Sequence, residues 1–180
     1  REVLEKAAEG ILHATGMEGI AIYLEEAQAG GMRMVAHRGI DDEEALAAEY
    51  LKPEHPVFLP MLEGRPLFLE GTDLLEMERG GGLPLPADAK SAAVVPVRYL
   101  GETAGCVVAS SRRMRDIPGW MRDFLELSCN QIGQAVRQRR LLDALRESES
   151  RYRLLYDFAA EAIFGYDRDL RLVNVNRRAC

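Results

Sequence analysis

Residues 91–111 read SAAVVPVRYLGETAGCVVASS, two apolar arms around a short polar centre, and the pattern predicts an antiparallel hairpin turning near Leu100 and Gly101. Alternation places Ala93, Val95 and Val97 on one face and Val94, Pro96 and Arg98 on the other. Each arm contains a residue that strands built only to fill a core rarely tolerate. Pro96 removes a ladder donor, and Gly105 brings no side chain to packing. Two explanations stand side by side: a ligand or loop that must approach closely here, or a simple edge bulge.

Outward from this hairpin, residues 3–15 place Leu4, Ala7, Ala8, Ile11 and Leu12 on one face of a helix, with Gly16 as its C-cap. GIAIYLEE and MRMVAHRG flank AQAGG and predict a second antiparallel hairpin. DDEEALAAEYL, from Asp41 onward, carries acids in its first turn, where the helix dipole favours them, and predicts a helix. Between Lys52 and Lys90 the pattern supports only a short strand at PLFLEG and a breaker-rich loop at RGGGLPLPAD. The triple glycine there lacks a following GK[ST] and reads as loop, not as a phosphate cradle. A long helix is expected from Pro118, with Leu125, Cys129, Ile132 and Val136 stepping along its core face. Beyond Arg140 the apolar phase moves to Leu141, Leu145, Ser148, Tyr152 and Leu155, the 4-3 spacing of a coiled-coil seam.

Bulk composition excludes several classes. With 47% hydrophobic and 29% charged residues in 180, the chain has enough apolar material for one sizeable core plus an appendage. No apolar run approaches the roughly 18 to 20 residues that cross a bilayer, so no membrane contact is expected. The opening REVLEKAAEG has neither an initiator Met nor a signal-peptide apolar region, and a piece of a longer protein is expected. A net charge of -6 argues against nucleic acid as a partner, and the arginines of 137–153 read as a solvated helix face. Cys106, Cys129 and Cys180 have neither CxxC spacing nor an even count, which gives no support to disulfides or structural zinc and fits a reducing cytoplasm.

The order of these elements resembles a GAF domain over residues 1–137. The carrying residues are the small-residue arm leading into VVPV, its polar turn and the Gly-containing return strand, together with MVAHRGI, EGRPLFLEG and LELSCNQIGQAV. The resemblance implies an α+β fold, a GAF-like antiparallel sheet flanked by helices with a long C-terminal helix. RESESRYRLLYDFAAEAIFGYDRDLRLVNVNRRAC resembles the opening of a PAS domain, with strands at AIFGYD and toward VNRRAC around RDLR. The resulting organisation is a GAF domain (1–137), a connecting signalling helix (138–151) and an N-terminal PAS fragment (152–180), similar to sensor histidine kinases of two-component systems. The apolar side chains of that fragment, Phe158 and Phe164 among them, lack a covering sheet. They are expected to be disordered or packed on another chain.

The GAF resemblance further implies a small-molecule pocket near the second hairpin. Alternation and family geometry nominate Tyr23, His37, His55, Phe58, Met61, Val95, Val97 and Cys106 as its liners. His37 has the side chain for haem ligation or pH sensing, against the plainer reading of a half-exposed strand-end histidine, and His55 reads as a loop residue. No cofactor is assigned. The N-K-x-F-x-D-E motif of cyclic-nucleotide GAF domains is missing, and no cysteine is placed for covalent bilin attachment. Some GAF proteins reduce free methionine sulfoxide with cysteines around the pocket, but residues 40–90 contain none. The expectation is therefore a noncatalytic sensory module that binds a small molecule and relays a change through its C-terminal helix. The alternative is a ligand-free dimerising spacer. A parallel homodimer along Leu141, Leu145, Ser148, Tyr152 and Leu155 is expected in either case.

Overall fold

The first helix, α1 (Glu2–Thr15), ends where the N–H of Gly16 bonds the Leu12 carbonyl at 2.8 Å, and its apolar face buries Ala8 and Ile11. The computed structural model describes residues 2–26, 30–79 and 83–179. The triple glycine at 80–82, Cys180 and the centre of the AQAGG turn lie outside the described residues. The chain forms two units, Arg1–Arg137 and Gln138–Cys180.

In the first unit, β1 (Gly19–Glu25), β2 (Met32–Arg38), β3 (Tyr50–Leu51), β4 (Leu67–Glu70), β5 (Ser91–Tyr99) and β6 (Glu102–Ser111) form one six-stranded sheet in the order β3-β2-β1-β6-β5-β4. Every neighbouring pair is antiparallel. The fold is the expected α+β sheet with flanking helices and a long C-terminal helix. Alternation along the strands feeds two separate apolar layers. Ile20, Ile22, Ala93, Val95, Val97 and Val107 pack against α1 and the core stripe of α5 (Gly119–Asp157), where Met121, Leu125, Cys129, Ile132 and Val136 are buried. On the opposite face Tyr23, Met32, Val94, Cys106 and Val108 meet the short helices α2 (Asp42–Ala47), α3 (Phe58–Leu62) and α4 (Gly71–Arg79).

A bulge decides which residues of β2 join which layer. Ile22 pairs with Ala36 but Tyr23 pairs with Met34, which leaves Val35 without a cross-strand partner and reverses the parity beyond it. Met34 therefore joins the Tyr23 layer, while Arg38 turns toward α1 and pairs with Glu5 at 3.3 Å.

Several local features were invisible to pattern reading. Asp41 caps α2 by accepting from the Glu43 N–H at 3.0 Å, as its acidic start predicts, but the helix stops at Ala47 because Tyr50 and Leu51 pair with Arg33 and Met32. The five-residue α3 carries an internal proline and no helical periodicity. It is closed by a Schellman motif, with Arg65 N–H to the Pro60 carbonyl and Gly64 N–H to the Met61 carbonyl, and Thr103 of β6 donates to that same Met61 carbonyl at 3.0 Å.

In the second unit, β7 (Phe164–Tyr166) and β8 (Leu172–Val175) form an antiparallel hairpin. The sequence leads one to expect disorder here or packing on another chain, because the apolar side chains have no cover, and Phe158, Leu170 and Val173 are indeed exposed. The hairpin is nonetheless formed. Polar groups replace the missing core: the fully buried Asn176 donates to the carbonyls of Tyr156 and Glu161 and accepts from the N–H groups of Ile163 and Ala179. Asp167 Oδ1 accepts from Asp169 and Arg171 and shapes the turn.

Candidate functional site

Four of the eight expected pocket residues come together. Tyr23, Phe58, Met61 and Cys106 lie in one buried apolar cluster beneath the sheet, and Tyr23, Met61 and Cys106 expose nothing. The Tyr23 hydroxyl donates to the Ala48 carbonyl at 2.7 Å, and burial, with Cys106 beside it, holds its pKa far above the usual phenol value. The side chains of this cluster pack on one another beneath the sheet.

Val95 and Val97 go elsewhere. They belong to the helix-covered layer on the opposite face, so grouping them with Cys106 is corrected by the register: Val95 pairs with Val107, and Cys106 pairs with Pro96. Directly paired residues share a face, and odd-numbered residues of β5 look toward α1 and α5. His37 is half-buried opposite Ala21, and therefore on the Tyr23 side. His55 precedes α3, where its Nδ1 accepts from the Val57 N–H at 3.3 Å, a local structural contact. Among the described residues no group of three or more His, Cys, Asp or Glu side chains is placed to hold a metal ion.

The opening puzzle has a backbone answer. A Cβ on Gly105 would run into the Tyr23 carbonyl and the Leu24 Cα of β1. Next to Gly105 the β5–β6 register shifts, because Val97 pairs with Gly105 and Arg98 with Thr103, leaving Ala104 bulged. Glycine is required by close strand approach. At Pro96, β5 has a partner strand on one side only, since β4 pairs no further than Val94. The missing N–H is tolerated at such a position.

A groove of about 470 Å³ lies at the β4 edge, between β4 and α4, lined by Pro56, Leu67, Phe68, Leu69, Asp73, Glu76 and Met77. None of these residues was expected from the sequence. The apolar PLFLEG strand was legible; the helix that follows Glu70 and walls the groove was missed, although Asp73 in its first turn, with Glu76 three residues on, is a start signal. Phe68 also touches the long helix: the Arg122 guanidinium of α5 sits 4.8 Å from the centre of its ring. Arg122 Nη2 bonds Glu70 Oε1 at 3.0 Å and its Nε bonds the Ile117 carbonyl at 2.8 Å, while the Ile117 N–H returns to Glu70 Oε1 at 3.2 Å. This ties the groove-side strand to the start of α5. The ion pair itself is half-exposed and contributes only about 0–1 kcal/mol, so its importance is geometric.

The two described cysteines sit on opposite faces of the sheet, both buried. Burial pushes the Cys106 thiol up to about 12 and Cys129 still further. Neither is expected to react with a disulfide reagent at pH 8 in a folded Cys180→Ser variant, and both should react in urea. The sign of the linkage follows. A thiol whose folded pKa lies above its ordinary value of 9.0 supports stability fully below that value and loses the contribution as pH rises toward 12. The urea midpoint should therefore fall between pH 8 and pH 10, and native thiol reactivity at pH 8 would contradict the burial.

The GAF domain family model matches residues 1–137. The chain belongs to the GAF domain family. No curated protein matches it. Among solved structures it is similar to the GAF domain of the phosphoenolpyruvate-protein phosphotransferase from Acinetobacter, with a TM-score of 0.66, 21% identity, and coverage of 78% of this chain and 83% of that one. It is also similar to a domain assigned to a two-component sensor histidine kinase from Sinorhizobium meliloti, with a TM-score of 0.63, 22% identity, and coverage of 81% and 95%. A third is the type II free methionine-R-sulfoxide reductase from Thermoplasma acidophilum, with a TM-score of 0.61, 16% identity, and coverage of 77% and 92%. At these identities the likeness concerns the GAF fold. Among the described residues no helix is long and apolar enough to cross a membrane.

Proposed function

We propose that this GAF domain is a noncatalytic cytoplasmic sensory module of a signalling protein, binding a small molecule in the β4–α4 groove and relaying its occupancy through α5. The single observation that carries the reading is Phe68, which lines the groove on one side and lies under Arg122 of α5 on the other. A ligand that binds one position of β4 better than another would bias the start of α5 by its differential affinity. The noncatalytic part of the proposal is supported by the thiols. One GAF neighbour is a sulfoxide reductase, whereas Cys106 and Cys129 are buried and held neutral.

Two further parts rest on sequence resemblance. The hairpin of residues 164–175 is the opening of a PAS domain, and the whole protein is organised as a sensor histidine kinase, a reading supported by the S. meliloti neighbour. The module works as a parallel homodimer through Leu141, Leu145, Ser148, Tyr152 and Leu155, supported by the exposure of all five along α5. The competing spacer reading is favoured by one observation: Tyr23, Phe58 and Met61, expected to line a pocket, are buried in the core.

Filling the groove separates the two. In Leu67→Trp, a change at a half-buried position of the groove, ligand-induced melting shifts seen with the wild type across a metabolite library should disappear while the domain stays folded. In Arg122→Ala, binding should persist but the ligand-dependent change in amide exchange at the start of α5 should vanish. A wild type that no compound stabilises would leave the spacer.

A further inference from the structure

β4 is an end strand of the six-stranded sheet, paired through Leu67–Glu70 with β5 on one side only. In an antiparallel ladder alternate residues turn their N–H and C=O groups toward the partner, and the residues between turn theirs away. The outward groups of β4 therefore point off the sheet, and among the described residues no backbone bond from a loop or cap reaches them. Proteins commonly blunt such an edge with extreme shortness, a lysine or a bulge. The opposite edge strand, β3, has two residues. β4 has four, LFLE, in regular register and with neither lysine nor bulge.

The groove follows this edge. Successive strand residues point to opposite faces, yet Leu67, Phe68 and Leu69 all line it. Leu67 and Leu69 belong to the layer beneath the sheet and Phe68 to the helix-covered layer. A groove that touches all three runs alongside the strand, where its backbone lies, and α4 forms the other wall. An edge strand facing a helix across a groove accepts an extended peptide as an added strand, with main-chain bonds giving affinity and flanking pockets giving selectivity.

Charge narrows the occupant. α4 contributes Asp73 and Glu76, three residues apart and so on one helix face, with Met77 beside them. Among the described residues no Lys, Arg or His lines the groove. Both carboxylates are exposed, so each adds little affinity, but together they favour positive side chains and repel acidic ones.

We propose that the β4–α4 groove takes a short extended peptide bearing lysine or arginine, which pairs with the outer edge of β4 and sets its cations against Asp73 and Glu76. The inference rests on the reading of this groove as the ligand site and names the ligand's class. Strand addition there acts directly on Phe68 and Glu70, the two β4 residues that hold Arg122 of α5.

The probes are acetylated hexapeptides with lysine at alternate positions and valine, leucine or phenylalanine between, matched by a set with glutamate in place of lysine. The lysine set should bind the full chain at least tenfold tighter than the glutamate set, slow amide exchange in β4 at least tenfold, and lose binding in Leu67→Trp. In the tightest peptide, methylating one alternate set of amide nitrogens should weaken binding at least tenfold and methylating the other should leave it unchanged, because a strand offers the edge only one of its two sides. Asp73→Asn combined with Glu76→Gln should cut the preference for lysine over glutamate at least threefold. Binding that is indifferent to both methylated sets, or a glutamate set that binds as tightly, overturns the proposal. If no peptide binds but non-peptide compounds still give melting shifts that Leu67→Trp removes, the groove reading stands and the peptide falls. If neither binds, both fall.

Discussion

Gly105→Val is expected to lower the stability of the GAF unit by about 3 kcal/mol or more, the upper end of overpacking costs. The added Cβ would meet the Tyr23 carbonyl and the Leu24 Cα, backbone atoms that no rotamer change can move. Relief requires β1 and β6 to separate, breaking the pairs Tyr23↔Cys106 and Leu24↔Gly105 near the middle of the sheet. Against a total stability of roughly 5–15 kcal/mol this is a large fraction. Gly105→Ala should also destabilise, although a strand interior ordinarily gains about 0.5–1 kcal/mol from that change. Urea denaturation followed by circular dichroism measures both. An unchanged midpoint would return Gly105 to the explanation in which a ligand occupies the space. Enlarging Val95 belongs to the same class of experiment, because that side chain faces the helices and perturbs their packing, not a pocket.

Asn176→Ala is expected to abolish the β7–β8 hairpin while leaving the six-stranded sheet intact. The side chain makes four hydrogen bonds, and each contributes about 1 kcal/mol net, with a further cost for backbone groups left buried and unpaired. The hairpin has little apolar burial to offset that loss, since Phe164, Tyr166, Leu172 and Val173 are exposed. A two-stranded hairpin is marginal on its own. Hydrogen exchange should show residues 164–175 losing protection in the variant, with residues 20–24 and 105–109 unchanged. Asn176→Asp keeps the two acceptor bonds and loses the two donors, so its protection should fall between. Full retention in the alanine variant would mean that something other than Asn176 holds the strands.

Much of the candidate site was illegible for physical reasons that particular residues make plain. Tyr23, Phe58, Met61 and Cys106 share one cluster because two of them alternate on strands and all are apolar enough to seek burial. Whether they enclose a space or fill it depends on how α3 docks, and α3 is held by Thr103, about forty residues away, and by its closing motif. The groove beside Leu67 and Met77 depends on where α4 docks, and Arg122 meets Phe68 only because the start of α5 lies beside β4. Contacts of this kind carry no local periodicity.

By itself the sequence determined the two hairpins, the buried stripe of the long helix and its change of phase after Arg140, because periods of two and 3.6 are written in neighbouring residues, while the fold class followed from the resemblance carried by those elements. The tertiary structure alone decided which layer each strand residue enters. Bulges at Val35 and Ala104 shift the parity of β2 and of the β5–β6 pair, and α1 and α5 cover one face while α2, α3 and α4 cover the other. A bulge exists only relative to its partner strand, so the shift that turns Val95 toward a helix and Cys106 toward Tyr23 is not written in the alternation of either strand alone.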